Sequence, residues 1–178
     1  MDSHQLSRLC LKDKLIKKLF KGVYSVDNLF KIVPNSLYIV NLSKADEPGS
    51  HWIVIYSELK TLYYICSLNS DPRKFPTLYF VIKKTGSKLW RAHRQIQSSK
   101  TTSCGVFCLF HCFFISRKFN PVEIYAKFFP PRKKNLYLND ILCVQTTVVL
   151  FNISSTPSQL LLDLTFLKEK NDKKKNEE

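Results

Sequence analysis

Hydrophobic residues recur with two different periods along this chain, and the two periods predict different elements. Residues 5–21 place leucine, isoleucine and phenylalanine at roughly helical spacing between lysines, which predicts an amphipathic helix that ends near Gly22. Residues 37–42, 51–56 and 62–67 are short runs rich in β-branched and aromatic types, which predicts three strands, the last two paired as a hairpin. An α+β fold, with a small mixed or antiparallel sheet and flanking helices, is therefore expected.

The rest of the chain is predicted to be mainly helical as far as residue 142. Residues 78–84 fit a helix better than a strand, and a helix over residues 122–129 follows Pro121, which is tolerated in a first turn. The pattern changes at Cys143, and residues 144–151 are predicted to form a strand. The predicted organisation is one folded domain over residues 1–142, a divergent segment over residues 143–167 and a disordered charged tail over residues 168–178.

One stretch changes abruptly from polar to apolar at a cysteine. Residues 97–103 carry almost no apolar side chain, whereas nearly every residue from 106 to 115 is apolar, and Cys104, Cys108 and Cys112 follow each other at helical spacing. A helix beginning at Cys104 would place that thiol in a first turn, where free N–H groups favour a nucleophilic thiolate. The competing interpretation is a purely structural one, since free cysteines are among the most buried residues.

The composition is typical of a single globular domain. The chain has 178 residues, 44% of them hydrophobic and 13% aromatic, which is enough to bury a core. Its six cysteines are too few for a disulfide scaffold at this length, and no apolar leader precedes the first helix, so we expect reduced thiols and an intracellular protein. The longest apolar run, residues 106–115, is too short to span a bilayer, and no membrane partner is expected.

The formal net charge of +14 indicates a polyanionic partner such as nucleic acid, a basic face used for steering, or a surface that is simply rich in lysine. The basic residues concentrate in three segments, Lys12–Lys21, Lys83–Arg94 and Arg132–Lys134. Basic clusters interleaved with aromatic residues suit contacts with phosphates rather than sequence-specific reading.

A thiol nucleophile needs a base, and the chain offers four histidines. His51 opens a predicted strand directly after a Pro-Gly turn, where its side chain can reach a cleft that Trp52 would wall. His111 lies inside the apolar helix and is expected to be a buried structural histidine. Taken alone, a histidine before a tryptophan in a strand is more often structural than catalytic.

These residues, in this order, closely resemble the adenovirus maturation protease family (adenain). The resemblance rests on His51-Trp52 after the Pro-Gly turn, on Gln97, and on the run Cys104-Gly105-Val106-Phe107-Cys108 that begins seven residues later. It looks closer still to the proteases of Polinton-type elements and more distantly similar to the SUMO-specific cysteine proteases. It extends to Gly22–Asp27 and Leu138–Asp140, and so covers roughly residues 20 to 142.

The resemblance implies a thiol protease with Cys104 as nucleophile and His51 as its general base. It also implies that Gln97 places a side-chain amide in the oxyanion hole, with Gln95 as the rival for that role. Neutral donors aimed at a developing negative charge suit this task. The fold implied is the adenain type, a small central sheet packed against the helix that carries the nucleophile.

The third member of the catalytic set departs from the family. The family has a carboxylate or amide on the strand after His-Trp, and the matching residue here is Cys66. A protonated thiol is a weak acceptor and orients an imidazole poorly. Asn69 and Asp71 are candidate surrogates, but neither stands at the matching position.

The expected function is therefore that of a cysteine endopeptidase that processes capsid or core precursor proteins of a virus or mobile element. We expect a monomer, nuclear or virion-associated, with no metal or small cofactor and with DNA as a polyanionic activator. Two alternatives remain: a basic binding protein whose protease site is catalytically impaired, and a protease that deconjugates SUMO or a ubiquitin-like protein. A zinc site on the cysteines of the Cys104 helix is disfavoured, because thiols at this spacing cannot close a tetrahedron unaided.

Overall fold

The computed structural model describes residues 1–129 and 136–151. Its centre is one mixed sheet of five strands in the order β1-β2-β3-β4-β5. The strands β2, β3 and β4 are antiparallel neighbours, whereas β1 and β5 pair in parallel at the two edges. The strands are β1 (Phe20–Ser25), β2 (Ser36–Asn41), β3 (Trp52–Ser57), β4 (Thr61–Ile65) and β5 (Lys88–Arg91).

Helices cover both faces of this sheet. Five helices pack on one face and α3 packs on the other, so that the side chains of β2 alternate between two apolar cores. Leu37 and Ile39 face the larger core, whereas Tyr38 and Val40 face the core that contains α3. The helices in the described part of the chain are α1 (Ser3–Lys12), α2 (Lys14–Leu19), α3 (Pro76–Lys84), α4 (Cys104–Ser116), α5 (Pro121–Phe128) and α6 (Leu136–Phe151).

The structure confirms an α+β fold with the Cys104 helix packed against the sheet. The three predicted strands are present as β2, β3 and β4. Residues 78–84 lie within α3, and the helix predicted over residues 122–129 is α5, which ends one residue earlier. Helix α4 begins at Cys104 and packs against β3, with its apolar residues in the larger core. The sequence patterns are strongest for β2, which is buried on both faces, and for α4, which is apolar all round.

The prediction of a single helix over residues 5–21 is wrong, because the structure has two helices there, α1 and α2. Asp13 divides it, because its carboxylate accepts the backbone N–H groups of Leu15 and Ile16 at 2.9 Å and so caps a separate helix α2. The chain then enters β1, which contains a bulge at Gly22, where φ is 140°. A residue with a Cβ would be strained at that φ, so the glycine is required by the bulge.

The strand predicted over residues 144–151 is also wrong, since α6 continues through position 142 to Phe151 without a break. Its buried residues Cys143, Thr147 and Phe151 recur every four positions, and Phe113 of α4 contacts the ring of Phe151. Packing against α4 thus overrides the β propensity of the valines and threonines in this segment. The charged tail over residues 168–178 and most of the divergent segment lie outside the described residues.

None of the helices in the described ranges is long and apolar enough to cross a membrane.

Candidate active site

Helix α4 delivers Cys104 to a cleft of about 660 Å³ that Ser50, Trp52 and Thr102 also line. Cys104 is 8% exposed, and the five other cysteines are each 3% exposed or less. Its sulfur is therefore the thiol most accessible to a substrate. Because α4 starts at this residue, its first-turn N–H groups point toward the same end of the helix as the thiol.

A braced loop positions His51 at the start of β3. The side-chain oxygen of Asn41, at the end of β2, accepts the N–H groups of Ser43 at 2.9 Å and of Ser50 at 3.2 Å. The carbonyl of His51 accepts the N–H of Leu42 at 2.9 Å. Both ends of the loop are thus tied to one buried amide, which places His51 directly before β3.

The imidazole of His51 contacts Cys66, the residue at the third position. His51 Nε2 lies 3.3 Å from Cys66 Sγ, and Nδ1 makes no hydrogen bond to any residue that the structure describes. Burial lowers the pKa of His51 from 6.5 to about 4, so the ring is neutral near pH 7. A neutral ring that donates from Nε2 keeps a lone pair on Nδ1, which is the state a general base requires.

Cys66 occupies a position that is built to accept hydrogen bonds. Its sulfur accepts the backbone N–H of Ser70 at 3.2 Å, at the turn that follows β4. Burial nevertheless raises the pKa of the Cys66 thiol, which therefore stays protonated near neutral pH. A thiol here holds the imidazole in contact without supplying the negative charge that a carboxylate would supply.

The two candidate surrogates for Cys66 are engaged elsewhere. Asp71 forms ion pairs with Arg73 at 2.6 Å and Arg91 at 3.0 Å. Hydrogen bonding to Arg73 keeps the pKa of Asp71 far below its usual range. The side-chain oxygen of Asn69 lies 3.5 Å from Arg91. Neither side chain bonds to His51, so the third position is left to Cys66.

Gln97 is buried beside the end of β4. Its Oε1 accepts the hydroxyl of Ser67 at 2.6 Å, and its Nε2 donates to the carbonyl of Thr101 at 3.0 Å. The same Nε2 also lies 3.5 Å from the hydroxyl of Thr101, so both contacts of this amide nitrogen are with Thr101. Gln95, the rival residue, donates its amide to the carbonyl of Gln97 at 2.7 Å. Gln97 itself does not line the cleft that contains Cys104.

Helix α6 braces the polar loop that leads to Cys104. Asp140 accepts the N–H of Ser98 at 3.0 Å and the hydroxyl of Ser103 at 2.7 Å, while Asn139 donates to the carbonyl of Ile96 at 3.0 Å. Burial raises the pKa of Asp140, against the opposing effect of these donors. The sequence pointed to Asn139 and Asp140 as part of a family resemblance but gave neither a role.

The beginning of the chain lies against the first turn of α4. Trp52 donates its indole N–H to the carbonyl of Met1 at 3.1 Å. A Cβ added to Gly105 would lie 3.2 Å from the Cβ of Met1, so Met1 packs where a side chain at position 105 would extend. Residues 1–3 also line the cleft. No pattern in the sequence indicated this contact.

The structure thus brings His51 and Cys66 together and places Gln97 beside them through Ser67. Cys104 lies in the cleft that the two neighbours of His51 also line, but its sulfur makes no hydrogen bond within the described part of the chain. His111 is a separate, buried histidine. Its Nδ1 lies 2.8 Å from the carbonyl of Phe107, as expected for a structural residue.

Within residues 1–129 and 136–151, no group of three or more histidine, cysteine or acidic residues could hold a metal ion. Neither a protein-family model nor a curated protein sequence matches this chain.

Proposed function

We propose that this chain is a cysteine endopeptidase with an adenain-type fold, in which Cys104 is the nucleophile and His51 the general base. The observation that carries the proposal is the orientation of His51. Its Nε2 lies 3.3 Å from Cys66 Sγ, its Nδ1 makes no hydrogen bond to the described residues, and its two neighbours in sequence line the cleft of Cys104. Burial keeps the ring neutral near pH 7, which leaves a lone pair free, although the lowered pKa makes the ring a weaker base than an exposed histidine.

The reaction follows from the chemistry of these groups. The imidazole of His51 takes the thiol proton of Cys104, and the thiolate attacks the carbonyl carbon of a peptide bond. The resulting oxyanion accepts a hydrogen bond from the backbone N–H of Cys104. The family resemblance implies a second donor, the amide of Gln97, which would have to turn from Thr101 toward the cleft to reach the oxyanion. His51 returns the proton to the leaving amine, and water then hydrolyses the thioester by the same route.

The substrate class is proposed from the family resemblance, as precursor proteins of a viral or mobile-element particle, cleaved after small residues. The exposed lysines of α1 and α2 support a polyanion such as DNA as an activator or a track, because they present charge at the surface. Two of the basic residues near Trp90 have structural contacts instead. Arg91 pairs with Asp71, and Arg94 donates to the carbonyl of Tyr125 at 2.9 Å.

The test is a search for new peptide termini. The purified chain, with and without duplex DNA, is incubated with a protein extract, and the N-termini that appear are identified by mass spectrometry beside the Cys104→Ser variant. We expect new termini after small residues with the wild-type chain and none of these with Cys104→Ser. If the wild type and Cys104→Ser give the same termini in both conditions, the endopeptidase proposal is wrong.

A second candidate function is that of a basic binding protein with an impaired protease site. It is favoured by the uncharged thiol of Cys66 beside His51 and by Met1 lying against the first turn of α4. This candidate predicts that Cys104→Ser binds duplex DNA as tightly as the wild type does, and that neither cleaves any protein.

A further inference from the structure

The first turn of α4 lacks the cap that its sequence provides. The first bond within the helix runs from the N–H of Phe107 to the carbonyl of Ser103 at 3.0 Å, so the N–H groups of the three residues before Phe107 precede it. A capping serine has an extended backbone and turns its hydroxyl to accept one of these N–H groups, whereas Ser103 has φ −81° and ψ 5°. The hydroxyl of Ser103 makes no such bond.

That hydroxyl is directed to α6 instead. Ser103 Oγ donates to Asp140 Oδ1 at 2.7 Å and lies 3.0 Å from the hydroxyl of Thr101. The other oxygen of Asp140 accepts the N–H of Ser98 at 3.0 Å. An ionised carboxylate only accepts hydrogen bonds, so Ser103 must act as the donor, and its proton points away from the helix.

We propose that Asp140 is a positioning residue that holds the Ser103 hydroxyl away from α4 and so keeps the first-turn N–H groups open. Open N–H groups are available to the thiolate of Cys104 and to the oxyanion that forms on the substrate carbonyl. A hydroxyl that capped the helix would compete for the same donors. The purpose of this arrangement rests on the proposed endopeptidase function. Its effect on the reactivity of the Cys104 thiol can be measured whether or not the chain cleaves proteins.

The alternative role for Asp140 is simply to anchor the loop of residues 98–103. The two roles differ in what the removal of Ser103 Oγ does. If Asp140 acts by restraining the hydroxyl, the loss of Asp140 is harmful only while the hydroxyl is present to cap the helix. If Asp140 is only an anchor, deleting the hydroxyl as well removes a further contact and restores nothing.

The test measures how fast iodoacetamide alkylates Cys104 near pH 7, with the site located by peptide mass mapping. The reagent is small and needs no peptide-binding groove. We expect Asp140→Ala to slow the alkylation about fivefold, since charge effects at a helix N-terminus are of this size. We expect the double variant Asp140→Ala/Ser103→Ala to return to within about twofold of the wild-type rate.

Two controls keep the outcome interpretable. Asp140→Asn keeps the shape of the side chain but presents an N–H group to one of the two donors, so it should slow alkylation in the same direction and by less. Arg117→Met breaks the ion pair between Asp13 and Arg117 at the opposite end of α4, at 2.8 Å, and should leave the alkylation rate of Cys104 as it is. The inference is overturned if the double variant is as slow as Asp140→Ala, or if Asp140→Ala and Asp140→Asn both react at the wild-type rate.

This design separates the inference from the proposed function. If the chain cleaves no protein but the double variant recovers the alkylation rate, the inference stands and the endopeptidase proposal fails. If the chain does cleave peptides, Asp140→Ala should lower kcat and leave KM nearly unchanged, because the open N–H groups act on the oxyanion and not on the bound substrate.

Discussion

His51 and His111 share the same physical state but occupy different surroundings. Burial lowers the pKa of both rings from 6.5 to about 4, so both are neutral near pH 7. His111 is held through Nδ1 by a backbone carbonyl, and its Nε2 is buried with no partner among the described residues. His51 is held through Nε2, and the residues on either side of it line a cleft with a thiol.

The comparison shows that a displaced pKa does not by itself identify a catalytic histidine. The depressed pKa records burial in both cases. The difference lies in which nitrogen is fixed and in what the free nitrogen can reach. At His51 the fixed nitrogen is oriented by a side chain at the end of a neighbouring strand, whereas at His111 the bond is made within one helix.

The largest expected effect separates the two histidines by a matched pair of substitutions. His51→Phe should reduce peptide cleavage by about a thousandfold, because it removes the general base. His111→Phe should keep cleavage within about tenfold of the wild type, and should change the free energy of unfolding by about 1 kcal/mol or less, because it also removes a buried nitrogen without a partner. Equal losses of activity in the two variants would refute the assignment of His51.

The second prediction concerns stability and pH. Between pH 6.5 and about pH 4 the unfolded chain binds protons at these two histidines while the folded chain does not, because their folded pKa values are lowered. The free energy of unfolding should therefore fall as the pH drops through this window, by up to about 3 kcal/mol for each histidine. Urea unfolding near pH 7 and near pH 4.5 measures the fall.

The His111→Phe variant serves as the control for this measurement. It should show a clearly smaller fall in the free energy of unfolding over the same window, since only His51 then contributes. An identical fall in the variant and the wild type would mean that His111 does not have the lowered pKa.

The third prediction concerns the negative charge that Cys66 does not supply to His51. Cys66→Asp places an acceptor beside Nε2 in a turn that already presents the N–H of Ser70. It should raise the cleavage rate by about tenfold or more, since carboxylates orient and stabilise the imidazolium that forms during the reaction. The carboxylate should also raise the pKa of His51 above its present value of about 4.

Cys66→Ser provides the matched control, because a hydroxyl is similar in size to the thiol and carries no charge. It should give no gain. A gain with serine as large as that with aspartate would show that the negative charge is not what Cys66 fails to supply.

The smallest expected effect concerns access to the cleft that contains Cys104. Trp52→Phe removes the hydrogen bond to the carbonyl of Met1 while it keeps an aromatic wall. The alkylation of Cys104 by iodoacetamide should become about twofold faster, because a single neutral hydrogen bond contributes little. A slower reaction would show that the contact with Met1 does not shield Cys104.

The central strands and the Cys104 helix could be predicted because their patterns are strong. Buried β-branched runs predicted β2, β3 and β4, and the apolar stretch after Cys104 predicted α4. The edge strands were missed, because β1 contains Gly22 and β5 is only four residues long and begins with a lysine. The second half of α6 was missed because its packing against α4 outweighs the preferences of its own residues.

The residues of the candidate site were proposed one by one from the family resemblance, whereas the residues that contact and support them were not anticipated. Asn41 and Asp140 brace the two loops that carry His51 and Cys104, yet each is far along the chain from the residues it holds. Ser67 fixes Gln97 in the same way. Such contacts between distant segments become visible only when the chain is folded, whereas catalytic residue types form recognisable local motifs.

The most direct test of the account is the covalent labelling of Cys104 by a peptide vinyl sulfone that ends in Gly-Gly, followed by intact mass measurement. The account predicts one adduct on the wild type, located at Cys104, no adduct on Cys104→Ser, and much slower labelling of His51→Phe than of His111→Phe. No adduct at Cys104, or labelling that proceeds equally fast without His51, would contradict the claim that His51 activates this thiol.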